Sequence, residues 1–94
     1  MLSKIPIDLS KVNKKYINKE ILRAAIIAEL DAVSLYEQMA ELAESEEVKR
    51  VLLDVAKEEK THVGEFQTLL LEHDQEQVEE LEAGKKEVDE ELGR

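Results

Sequence analysis

Two long stripes of apolar residues, each advancing in steps of three and four, dominate the chain. The first runs Leu22, Ala25, Ile26, Ala32, Val33, Tyr36, Met39, Ala40 and Ala43. That spacing lines one face of an α-helix and predicts a helix of about 27 residues, roughly 40 Å long, with Asn18 as its N-cap. The second stripe, Val48, Val51, Leu52, Val55, Val63, Phe66, Leu69 and Leu70, predicts a helix capped by Ser45, with acids favourably placed in its first turn. This helix should end around His73 and Asp74. Asp74 followed by Gln77 has the form of a capping box and opens a third, shorter helix to about Leu92. Its stripe is thin: Val78, Leu81, Val88 and Leu92. The connection between the first two helices is very short, and short connections make antiparallel neighbours. The expected fold is all-α: an antiparallel hairpin at 18–74 and an acidic C-terminal helix at 75–94. Residues 1–17, which contain Pro6 and lack periodicity, are expected to be an extended N-terminal arm.

Three ionisable residues interrupt the stripes. Glu29 lies seven residues after Leu22 and seven before Tyr36; Glu59 lies four after Val55, and His62 four before Phe66. A bare carboxylate at a seam costs several kcal/mol to desolvate, about the strength of a major packing interaction, so it requires a partner. The heights also match. Counted from the turn at Ser45, all three fall roughly 21–26 Å along the hairpin. Glu59 and His62 form an E-x-x-H pair that projects from one helix face. Di-iron carboxylate bundles carry that pair on two helices and a lone Glu on each of two others. This chain has one of each, hence half the set, and two copies would bring four Glu charges to two Fe²⁺ ions. Carboxylates suit hard iron ions and can bridge them, while imidazole adds a borderline nitrogen ligand.

Composition narrows the alternatives. A net charge of −10 argues against nucleic acid and anionic membrane surfaces, which want clustered Lys and Arg. The chain has no Cys, which removes disulfides, thiolate metal sites and Cys nucleophiles. No apolar run is long enough for a membrane span or a signal peptide, so a cytoplasmic protein is expected.

Neighbouring residues keep two readings each. Glu58 lies four residues before His62 and is either a supporting or entry carboxylate for the metal or a solvated one. Asp31 flanks Glu29 off the seam, either at the surface or guiding ions. Tyr36 can bury its ring and give its hydroxyl to a ligand carboxylate or to water. His73 is best explained as a helix C-terminal residue. An isolated E-x-x-H in a Glu-rich helix is commonly solvated; the opposing seam Glu at equal height is what sets this one apart.

The stretches Ala25–Ala32, Leu35-Tyr36-Glu37 and Glu58-Glu59-Lys60-Thr61-His62 resemble the encapsulated ferritins, short relatives of ferritins and rubrerythrins. The resemblance covers roughly residues 19–92 and is to archaeal forms fused in front of an encapsulin shell protein. It implies a ferritin-like four-helix bundle completed by dimerisation. The implied activity is a ferroxidase that oxidises Fe(II) with O₂ at a di-iron centre shared between two subunits. The metal ligands carry over to Glu29, Glu59 and His62, and the nearby tyrosine to Tyr36. Family members assemble dimers into an open ring, commonly a decamer, inside a cytoplasmic encapsulin nanocompartment where iron is mineralised. The family often has an extra Glu just before the first ligand; here it is Ala28, and Asp31 is expected to keep part of that cation site. No shell-docking peptide of the usual type stands at the C-terminus, so the chain is expected to meet its shell either in trans or as a domain of a longer fusion. Two other readings stay open: a rubrerythrin-like di-iron peroxidase, and a non-catalytic acidic helical interaction module.

Overall fold

The computed structural model describes residues 8–94 and, among them, contains helices and turns but no strands. The first seven residues, Pro6 among them, lie outside the described residues. Residues 8–16 are wound rather than extended. Asp8 caps one 3-10 turn, Leu9–Lys11, and Asn13 caps a second, Lys14–Tyr16, by accepting from the Lys15 amide at 3.0 Å. The second turn feeds directly into α1, Ile17–Leu42, which has no side-chain cap of its own. Asn18 is therefore inside the first turn of α1 and is not its cap. The preceding 3-10 turn starts the helix two residues earlier, at Ile17.

Helix α2, Glu46–His73, opens as expected. Ser45 accepts from the Val48 amide at 3.3 Å, and Glu46 and Glu47 sit at the positive end of the helix dipole. Ala43 and Ser45 are both extended, so the chain reverses within Ala43–Ser45 and lays α2 back along α1. Helix α3, Gln75–Glu91, begins where Asp74 breaks α2. The Asp74 carboxylate accepts from the Gln77 amide at 3.1 Å. Among the described elements, helix α3 touches α2 alone, and the overall extents of 46 × 45 × 20 Å fit an arm leaving the hairpin axis.

The core is a thin seam. Ala40 and Ala56, each 2% exposed, let the helices approach closely, with Val33 and Leu70 buried further along. Val48, Val51 and Leu69, expected on the buried stripe of α2, are exposed instead. Two helices can cover only one narrow strip of each other, and these residues lie outside it.

The open end of the hairpin is tied by charge. Arg23 on α1 reaches Asp74 at 2.9 Å and Glu20 at 2.9 Å. Asp74 thus caps α3 with one oxygen and holds α1 with the other. The Gln77 amide, helped by Lys19 and Arg23, outweighs desolvation and holds the Asp74 carboxyl below its ordinary value of 3.8. The folded state keeps Asp74 ionised to lower pH than the unfolded chain does. Its contribution to stability is therefore complete above the ordinary carboxylate value and is lost as pH falls through the lower folded one. Asp74→Ala should lower the melting temperature at neutral pH, and its difference from the wild type should shrink below about pH 4. A difference independent of pH across that range would show that the charge contributes nothing.

Candidate metal centre

Glu29 is carried by the middle of α1, Glu59 and His62 by the middle of α2, one helical turn apart. The equal arms of the hairpin bring them to one level. One ligand atom from each of Glu29, Glu59 and His62 falls within 4.8 Å of the other two, and this is the one such cluster among the described residues. His62 Nδ1 lies 3.5 Å from Glu29 Oε2 and 3.5 Å from Glu59 Oε2.

The polar accounting of this cluster is incomplete within one hairpin. Glu29 Oε2 is buried and has no hydrogen-bond partner among the described residues, a state that costs a carboxylate more than a neutral group. Two carboxylate oxygens converge on one imidazole nitrogen, an arrangement that a cation would neutralise. The donor set, two carboxylates and an imidazole, suits Fe, Mn or Zn better than Ca or Mg. The residues present therefore fit a transition-metal ion. The His62 side chain is 41% exposed, so the cluster lies open on the side away from the hairpin seam, and three protein ligands leave positions free.

The surrounding residues divide differently from expectation. Asp31 is not at the surface: it is 8% exposed, and its side chain is engaged in an interaction. Its step of two residues from Glu29 turns it roughly 200° around α1, away from the cluster. Glu58 is exposed and outside the cluster, and His73 is exposed in the last turn of α2. The Tyr36 ring is half-buried, and among the described residues no hydrogen bond joins its hydroxyl to Glu29 or Glu59. Lys60, next to Glu59, turns outward and spans the two helices to Glu37 at 3.1 Å. That bridge has no periodic signal in the sequence, nor has Arg23–Asp74, whose partners are 51 residues apart. The hollow near the turn lined by Glu47, Arg50, Val51 and Asp54 contains none of the cluster residues.

A helical hairpin with a seam Glu facing an E-x-x-H defines a ferritin-like iron-binding class. The rubrerythrin family profile matches residues 20–92, and the chain belongs to that family. A ferritin-like–encapsulin shell fusion protein of Pyrococcus furiosus is 65% identical over 74 residues, which are 79% of this chain. The chain matches 21% of that relative's length. The crystal structure of the encapsulated ferritin domain from Pyrococcus furiosus superposes with a TM-score of 0.84 at 56% identity, covering 100% of this chain and 98% of that one. Rubrerythrin and ferritin-like domains bind iron and are typically di-iron oxidoreductases.

Divalent metal at about 100 times its dissociation constant should stabilise the fold by about 2.7 kcal/mol, seen as a rise in thermal midpoint with Fe²⁺, Co²⁺ or Zn²⁺. Glu29→Gln and His62→Ala should lose most of that rise. Unchanged melting with all three metals would reduce the cluster to a group of seam carboxylates.

Proposed function

We propose that the chain supplies half of a di-iron ferroxidase site, in which Fe(II) is oxidised by O₂. The observation that carries this reading is the convergence of Glu29, Glu59 and His62 around a buried carboxylate oxygen that has no hydrogen bond among the described residues, on a side of the hairpin open to a second copy. A homodimer would present each ligand twice, giving four carboxylates and two imidazoles. Four negative charges balance two Fe²⁺ ions, so pairing leaves a nearly neutral buried centre.

The protein's contribution is placement. Glu29 and Glu59 would hold and bridge the ions, and His62 would add a nitrogen ligand while neutral. Iron supplies the electrons: two Fe²⁺ lose one each, and O₂ with two protons becomes hydrogen peroxide. Holding two ions together lets both electrons leave in one event and avoids a one-electron oxygen product. Tyr36, half-buried one heptad from Glu29, would orient a ligand carboxylate once the second copy closes the site. The ferric product passes to an encapsulin compartment, in trans or through a fusion like that of the Pyrococcus furiosus relative. Dimers assemble further into a ring, by resemblance a decamer.

Membership of the rubrerythrin family gives a peroxidase reading a specific basis, and the choice of oxidant separates the two. Anaerobic Fe²⁺ loading followed by O₂ should give a fast rise in ferric absorbance, with Glu59→Ala slower by at least about a hundredfold. Faster turnover with hydrogen peroxide than with O₂ would move the assignment to a peroxidase. Full wild-type rate in Glu59→Ala would sink both.

A further inference from the structure

Helix α2 contains one glycine, Gly64, two residues beyond His62. Glycine is among the poorest helix formers, because its backbone gives up the most freedom on folding. Nothing among the described residues requires it there. Its φ is not positive, and a Cβ built on it would meet no atom within 4 Å. The residue is exposed, and its step of two turns it roughly 200° around α2 from His62, away from the side open to a second copy. Alanine would fit and would hold the helix more firmly.

The helix bond just beyond the ligand pair is also shared. Helical geometry gives the Gly64 carbonyl to the Thr68 amide, and the Thr68 hydroxyl donates to that same oxygen at 2.8 Å. Such a hydroxyl competes with the backbone and often bends a helix. Thr61, one residue before His62, donates more weakly to the Lys57 carbonyl at 3.5 Å. Both threonines are exposed, so these bonds lie on the solvent face of α2, behind the cluster.

On either side of this stretch α2 is held. Ala56 and Leu70 are buried, 2% and 6% exposed, and Lys60 is tied to Glu37 of α1 at 3.1 Å. Glu59, His62 and Gly64 lie between the two buried residues. A segment pinned at both ends and weakened at its middle can bow toward or away from α1 without sliding along it. The E-x-x-H pair has a use for that freedom. A stiff helix face fixes where Glu59 and His62 present their ligand atoms, whereas ferric iron binds hard carboxylate oxygens more closely than ferrous iron does.

We infer that Gly64 is a positioning residue: it makes the middle of α2 compliant, so that Glu59 and His62 can follow the change from ferrous to ferric iron. The inference rests on the ferroxidase reading and deepens it.

Gly64→Ala tests it, with the wild type measured alongside. In metal-free protein, amide hydrogen exchange over residues 64–68 should be at least about tenfold faster than over the rest of the middle of α2, and Gly64→Ala should remove the difference. The variant should melt a few degrees higher. Its Zn²⁺ affinity should change by less than about twofold while its Fe(II) oxidation slows by about tenfold or more. Thr68→Val, which keeps the shape and deletes the hydroxyl, should slow oxidation in the same direction. Even exchange across α2 in the wild type, or a full oxidation rate in Gly64→Ala, would overturn the inference. So would a smaller sedimentation coefficient for Gly64→Ala, which would assign the glycine to a contact between copies. A wild type that oxidises no Fe(II) sinks the ferroxidase reading and this inference with it; an active wild type matched by Gly64→Ala sinks this inference alone.

Discussion

A carboxylate oxygen shut away from water without a hydrogen bond is unstable unless positive charge arrives. Glu29 Oε2 is in that state, and much of the hairpin is arranged around it. The seam places Glu29 opposite Glu59 and His62, and the short reversal at Ala43–Ser45 keeps the three at one level. Small side chains at Ala40 and Ala56 let α1 and α2 approach closely. Polar groups at the centre of a helical seam weaken the apolar packing they displace. The fold accepts that cost at the position where a bound cation would reverse it.

The same shortage explains why so much apolar surface remains uncovered. A two-helix hairpin has a seam but no interior, and its buried hydrophobic core among the described residues is Val33, Ala40, Ala56 and Leu70. Val48, Val51 and Leu69 extend the apolar pattern beyond what α1 can cover. Ion pairs do part of the work instead. Arg23–Asp74 fixes the root of α3 against α1, and Lys60–Glu37 spans the helices beside the cluster. The Lys60–Glu37 pair, exposed on both sides, contributes little by itself, whereas Arg23 meets a nearly buried Asp74 carboxylate.

Much of this was legible in the amino-acid order. Three- and four-residue spacing located α1, α2 and α3. The heptad relations of Glu29, Glu59 and His62 anticipated their meeting, because a straight antiparallel hairpin converts sequence distance from the turn directly into height. Capping at Ser45 and Asp74 was visible because it depends on neighbours three residues away. Asn18 misled because its suitability as a cap says nothing of the 3-10 turn that precedes it. Asp31 looked exposed because helical position relative to one stripe does not report what else packs on the helix. Arg23–Asp74 and Lys60–Glu37 were invisible for a related reason: they join residues whose proximity exists only after folding.

The turn at Ala43–Ser45 acts as a ruler. Glu29 stands fourteen residues before Ala43, and Glu59 fourteen after Ser45. Inserting a single residue between the turn and the cluster would swing Glu29 on one arm, or Glu59 and His62 together on the other, about 100° off the seam and shift them about 1.5 Å along the axis. Lengthening can preserve the centre only when both arms grow together by about seven residues, two turns each. In the divergence of such hairpins, the segments between ligands and turn should therefore change length in matched pairs or not at all, leaving the two ends as the natural places for insertion and fusion.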